Sequence, residues 1–306
     1  MNTALVIGVA VLLVLCAGWL RAERGRWMLP STRQFLRHSG WLRLFHLRVL
    51  HGYLYLRWQH LYAWIALHIV EPLAWNRLRR WYAARYHAKV LSHDQARRIV
   101  RVDRPIPLQD LERVIPYRTA RHIVLTARPR LVAFECACRH ARRHPCQPTQ
   151  VCLFVGDPGA SFMLEHHPRD ARELTRQEAL ELLDAEHDRG HVHTAWFKAA
   201  MADRFYVICN CCPCCCAGIQ VMKSSGAPFL ASSGYEVEFD PELCANCGRC
   251  FELCPFEAIH AAPDRPRIDA TACMGCGVCV DHCPAGALTL RRAPGRGTPL
   301  EVERLG

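Results

Sequence analysis

The sequence predicts an α+β chain in three parts: an apolar N-terminal helix with basic, aromatic helices behind it, a cysteine-rich mixed α/β middle, and a small C-terminal domain built on a repeat. Three observations carry this. Thr3 to Leu20 contains no charged residue. Of the 19 cysteines in 306 residues, all but Cys16 fall into four short stretches. The last two stretches are the same run, repeated 29 residues later.

A chain of this length can bury a core without covalent staples, so the cysteines do not read as a small secreted disulfide framework. Thiols at fixed short spacings point to metal instead. Net charge is +11, and residues 1–90 hold all of that excess, with 13 Lys/Arg against only Glu23 and Glu71. A basic N-terminal third beside a neutral remainder suggests an anionic membrane face or another polyanion.

The 18 uncharged residues Thr3 to Leu20 span roughly 27 Å as a helix, near the lower limit for crossing a bilayer. Arg21, Arg24 and Arg26 follow, and no basic side chain precedes. A cleaved export signal would carry a positive leading region, which is missing here. The expectation is therefore a transmembrane anchor over 1–21 in the inner (cytoplasmic) membrane, single-pass, with the N-terminus outside and the rest on the cytoplasmic side. Residues 22–90 read as basic amphipathic membrane-surface helices. Over 41–75 the chain is rich in Trp, Tyr and Leu but interrupted by Arg43, Arg48 and Arg57, which are costly in hydrocarbon and suit an interface. An ordinary amphipathic helix packed on its own domain is the competing reading. Nucleic acid is not an expected partner, because the basic residues interleave with apolar ones and no nucleic-acid motif is present. His46, His51, His60 and His68 read as interfacial polar residues.

Residues 91–232 read as a cysteine-rich α/β domain. Ser92 to Gln95 and Thr175 to Glu178 are capping boxes, opening helices that run to about Val100 and Arg189. A helix is predicted over 117–127, and short buried strands over 131–135, 152–155 and 205–209. Two thiol groups follow strands: Cys136, Cys138, Cys146 and Cys152, then Cys209, Cys211, Cys212, Cys214, Cys215 and Cys216. Both could lie on loops at one end of a sheet. Ten thiols in two loops are hard to explain as core packing, and a reducing cytoplasm would leave few of them paired. They are candidates for at least one further iron–sulfur cluster, since four thiolates suffice for one. Arg139, Arg142 and Arg143 would offset thiolate charge. A structural zinc site and free thiols remain open alternatives. His191 and His193 would share one side of a strand, which alone is weak evidence for metal.

The C-terminal signal is specific. Cys244, Cys247, Cys250 and Cys254-Pro255 form C-x₂-C-x₂-C-x₃-C-P, repeated as Cys273, Cys276, Cys279 and Cys283-Pro284. This spacing holds [4Fe–4S] clusters, with three thiolates wrapping one cluster while the fourth reaches the other. The expected ligand sets are Cys244, Cys247, Cys250 and Cys283 for one, and Cys273, Cys276, Cys279 and Cys254 for the other. The glycines Gly248, Gly275 and Gly277 relieve crowding where backbone passes a cluster. Strands near Glu236–Phe239 and Ala287–Leu290 would close the small domain, bounded at 233–293, with a tail over 294–306.

Residues 235–292 resemble a clostridial-type 2[4Fe–4S] ferredoxin domain, about a fifth of the chain. The resemblance implies two [4Fe–4S] clusters and low-potential, one-electron carriage between a redox protein donor and acceptor. The cysteine-rich middle resembles membrane-associated 4Fe–4S binding proteins, a likeness that names no reaction. No dinucleotide fingerprint, phosphate loop or nucleophile elbow is present. The sequence therefore favours a membrane-anchored electron-transfer subunit or partner of a larger oxidoreductase. A reductase with its catalytic centre among the middle thiols comes second, and a redox or iron sensor third.

Overall fold

The computed structural model describes residues 3–38, 47–103, 106–107, 124–125, 128–198, 201, 204–263 and 265–302. Its centre is a seven-stranded sheet. In spatial order the strands are Ala171–Leu174, Leu131–Phe134, Cys152–Val155, Arg204–Cys211, Val192–Lys198, Tyr86–Leu91 and Leu230–Ala231. Every neighbouring pair is antiparallel except the last, which is parallel. Helices cover both faces, as a sheet apolar on both sides requires.

One face packs on the helices His93–Arg101 and Arg176–Asp188 through Leu153, Ala195, Phe197 and Ile208, against Ile99, Leu180 and Leu183. Both helices start where their local chemistry dictates. The Ser92 hydroxyl accepts from the Gln95 amide at 3.3 Å and the Gln95 side chain accepts from the Ser92 amide at 2.9 Å. Thr175 and Glu178 close the second box in the same way. The opposite face packs on the N-terminal helices and on Gly159–His166, through Val132, Phe134, Phe154 and Val207 against Phe35, Tyr53, Leu56 and Phe162.

The N-terminal region corrects the expectation of a transmembrane anchor. Among the described residues, no helix is long and apolar enough to cross a membrane. The helix Thr3–Ala22 does form, and Ile7, Val11 and Val14 on it are exposed. Its last turn, however, belongs to the folded body. Trp19 stacks on Tyr53 with ring centroids 5.4 Å apart, and Ala22 is buried. That leaves roughly 24 Å of helix ahead of the contact, against a hydrocarbon core of about 30 Å. The next residue, Glu23, is fully buried and accepts from the Leu29 amide at 2.6 Å and the Tyr53 hydroxyl at 2.6 Å. The single-pass inner-membrane placement, with iron–sulfur domains on the cytoplasmic side, falls with the anchor.

The chain enters the sheet at Tyr86, and every residue of Tyr86–Leu91 is buried. Most of the helix predicted over 117–127 lies outside the described residues; Val124–Leu125 forms a two-residue ribbon with Ile106–Pro107. Arg43 and His46 also lie outside them.

The C-terminal domain is small. Tyr235–Phe239 pairs antiparallel with Leu288–Arg292, and Ile259–His260 with Arg267–Ile268. Short helices Arg249–Leu253 and Val278–Asp281 complete it. Phe256, Met274, Cys276 and Val278 dock it against Ala88, Val90, Val192 and Ile219 of the middle domain.

Candidate metal centres

The backbone of the C-terminal domain gathers the eight thiols into two sets. A cavity of about 70 Å³ is lined by Cys244, Cys247, Cys250 and Cys283. A tighter one of about 20 Å³ is lined by Cys273, Cys276, Cys279 and Cys254. Each set joins three thiols of one run to the last of the other. Gly275 adopts φ +63°, and a Cβ there would stand 2.1 Å from the Tyr235 carbonyl oxygen, so only glycine lets the loop close against the first strand. Amides already point at the sulfurs: Asn246 N–H donates to Cys244 Sγ at 3.4 Å, and Ala258 N–H to Cys254 Sγ at 3.3 Å. Such donors stabilise thiolate and tune a bound cluster.

The two sets differ in exposure. Cys247 is exposed and Cys244, Cys250 and Cys283 are half-buried, whereas Cys273, Cys276 and Cys279 are buried. Burial pushes the bare Cys276 thiol up to about 12 and raises Cys279 further. A metal must displace those protons on binding, so ligation and deprotonation are coupled. Eight soft donors around two hollows are the set that iron–sulfur clusters take.

The ten middle thiols come together at one end of the sheet. Leu131–Phe134 and Arg204–Cys211 finish there, and the antiparallel Cys152–Val155 begins there, with Phe134 opposite Cys152. The thiols then divide. Cys136, Cys138, Cys152, Cys209, Cys211 and Cys216 form a connected chain, with Cys152 to Cys209 at 3.7 Å, Cys216 to Cys211 at 3.2 Å and Cys136 in contact with Cys138 and Cys152. Because side chains alternate along a strand, Cys209 and Cys211 face one side while Asn210 between them faces the other. Hydrogen bonds from the Cys209 and Cys216 thiols hold Cys211 well below the ordinary thiol range.

Cys146, Cys212, Cys214 and Cys215 form the second group, their sulfurs within 4.8 Å of one another. Four thiolates around one tetrahedral ion stand about 3.8 Å apart, given zinc–sulfur bonds near 2.3 Å. This compact group therefore suits a single ion.

The six connected thiols line a cavity of about 180 Å³, which the sequence did not reveal. Its other walls include Tyr55, Tyr62, Tyr82, Tyr86, Trp196 and Lys198, with Arg139 and Cys212 at the thiol side. Tyr62 bonds Tyr82 at 2.7 Å and Tyr86 at 2.8 Å, and His51 Nε2 bonds the Tyr86 hydroxyl at 2.7 Å. Lys198 donates to Tyr55. The aromatic run expected at an interface thus turns Tyr55 and Tyr62 inward to the thiols. Alternation of Tyr with Leu in Tyr53-Leu54-Tyr55-Leu56 was the only signal available, and it does not say what a helix packs on.

Of the three arginines expected to offset thiolate charge, Arg139 is 1% exposed, and its charge acts to lower Cys212 against the burial that raises that thiol. Its Nη2 donates to Glu186 Oε2 at 2.8 Å and to the Asn210 carbonyl at 3.2 Å, locking the 136–140 turn to the sheet. Arg142 donates to the Cys215 carbonyl at 3.2 Å and to Gln220 at 2.7 Å, bracing the second thiol loop.

Comparison with known proteins gives a family match within the C-terminal domain. Residues 236–287 match the 4Fe-4S dicluster domain family. The chain is 38% identical over 64 residues to NADH-quinone oxidoreductase subunit I of Pelobacter propionicus. That match covers 20% of this chain and 34% of the relative, so the chain spans about a third of that protein's length. No solved structure matches. These likenesses make residues 236–287 an iron–sulfur domain of ferredoxin type with at least one [4Fe–4S] cluster.

Proposed function

We propose that this chain is an electron carrier with two [4Fe–4S] clusters in its C-terminal domain and a further cluster on the middle thiols, working as a partner within a larger redox complex. The observation that carries the reading is the crossed pair of cavities, each with three thiols from one run and one from the other. The clusters would supply one-electron exchange. Cys244, Cys247, Cys250 and Cys283 would hold the solvent-side one, and Cys273, Cys276, Cys279 and Cys254 the one against the middle domain.

The packing supports a route inward. Cys276 of the buried set shares a packed cluster with Cys211 and Cys216 of the middle thiols, and Cys254 and Cys209 border it. Exposed Cys247 marks the side where a soluble donor or acceptor would dock. A second reading, in which the chain reduces a small molecule itself, draws on the largely apolar, tyrosine-walled cavity beside the six thiols. The likeness to a subunit of a multi-subunit oxidoreductase favours the carrier.

The test is electron paramagnetic resonance of the anaerobically purified chain, titrated stepwise with dithionite. Two one-electron centres with mutually broadened signals are expected from the C-terminal pair, with a third signal from the cluster on the middle thiols. A chain that gives no iron–sulfur signal on reduction would refute the reading.

A further inference from the structure

Three histidines from three different elements meet where the middle domain faces the C-terminal domain. His93 opens the helix His93–Arg101, His187 lies in the last turn of Arg176–Asp188, and His193 lies in the strand Val192–Lys198. One ring nitrogen from each falls within 4.8 Å of the other two, and His93 Nδ1 stands 3.0 Å from His193 Nε2. His187 and His193 are buried.

Proton accounting at the outer nitrogens decides what the inner ones carry. His193 Nδ1 lies 2.6 Å from Asn210 Oδ1. That amide cannot be turned round, because its Nδ2 donates to the Val151 carbonyl at 2.7 Å. His193 therefore carries its proton on Nδ1 and a lone pair on Nε2. His93 Nε2 lies 3.1 Å from Asp184 Oδ1, which puts its proton there and a lone pair on Nδ1. His187 Nε2 lies 3.0 Å from Asp281 Oδ2, but neither of its buried ring nitrogens makes a hydrogen bond of ordinary geometry among the described residues, so the ring has a lone pair to offer. Two lone pairs facing each other at 3.0 Å repel unless something electrophilic lies beside them.

We propose that His93, His187 and His193 bind one divalent transition-metal ion of the zinc class. Three neutral imidazoles with one open position form a common set for such ions. Tetrahedral nitrogens around zinc stand about 3.3 Å apart for bonds near 2.05 Å, close to the spacing of the His93 and His193 nitrogens. Asp184, Asp281 and Asn210 form the outer ring of acceptors that orients ligating histidines. Asp281 lies between Cys279 and Cys283 of the C-terminal domain, and Asn210 lies between Cys209 and Cys211. The ion would fasten the second cysteine run to the strand that carries the middle thiols. None of this depends on which thiols hold clusters.

The experiment loads the full chain with iron and sulfide anaerobically and then titrates it with zinc. Zinc, iron and sulfide are counted per chain for the wild type, His187→Ala, and His93→Ala, whose partly exposed side chain can be removed without opening the core. Both variants are expected to hold one zinc fewer than the wild type, with iron and sulfide unchanged. Asp281→Asn should weaken that zinc by about 10–100-fold. Zinc K-edge absorption should assign the missing ion a nitrogen shell at about 2.0–2.1 Å. Equal zinc in wild type and variants, or a sulfur shell for the missing ion, would overturn the site. So would a wild type that takes up no zinc, which would mean that a proton on His93 or His193 settles the contact instead.

Discussion

Cys283→Ala should abolish the same paramagnetic signal as Cys250→Ala, although 33 positions separate them and each sits in a different run. Cys254→Ala should likewise match Cys279→Ala. The reason is the crossed lining of the two cavities, in which the last thiol of each run faces the hollow of the other. Loss of one thiolate leaves three donors for a cluster that takes four. Each variant is therefore expected to lose about half of the iron bound by this domain. The domain's own core is thin, with Ile259, Leu288 and Cys279 its buried members, so ligation contributes a large part of its folding energy. Far lower resistance to proteolysis between residues 233 and 293 should accompany the loss of iron. If Cys283→Ala instead removed the signal that Cys279→Ala removes, the ligands would not cross.

Arg139→Met is expected to lower the stability of the middle domain by about 3–5 kcal/mol in denaturant unfolding. The pair Arg139–Glu186 is almost fully buried, at 1% and 0% side-chain exposure and 2.8 Å apart. Removing the cation leaves the buried Glu186 carboxylate with His191 at 2.7 Å and the part-exposed Arg189 at 3.0 Å, which puts the loss at the low end of that range, whereas Arg139→Met with Glu186→Gln removes both charges of the buried pair and should recover much of it. Burial acts to raise the Glu186 pKa, but the hydrogen bond from His191 and the charge of Arg139 outweigh it and hold the carboxyl below its ordinary value. A depressed carboxyl contributes stability above its unfolded pKa and loses it as pH falls through the folded value. The wild type should therefore lose stability on the acid side, and the double variant should be flatter there. A single variant as stable as the wild type would mean that the pair is solvated.

These two expectations differ in how far the sequence could have led to them. The cysteine runs are local patterns, and spacing alone fixes which three thiols can share a cluster. The capping boxes at Ser92 and Thr175 are local too, and both helices begin there. The strand order is not local. It brings Cys152–Val155 beside Arg204–Cys211 across 48 intervening positions, and only that pairing turns two cysteine groups into one end of a sheet. Arg139 reads as a charge near the thiols from its place in the chain, which its effect on Cys212 bears out, but nothing in the sequence shows Glu186 opposite it.

The N-terminal helix failed for the same reason. Hydropathy counts what a residue is, not what it touches, and the contact between Trp19 and Tyr53 is a tertiary fact. His93 drew no notice, since it stands 94 and 100 positions from the two histidines it meets.

The most direct measurement is the iron and acid-labile sulfide content of the full chain, purified without oxygen. Two clusters in the C-terminal domain account for about eight irons, and a further cluster in the thiol-lined cavity raises the count above that, with sulfide in step. More than about eight irons per chain is the predicted result. Eight or fewer would leave the middle thiols without a cluster and contradict the account.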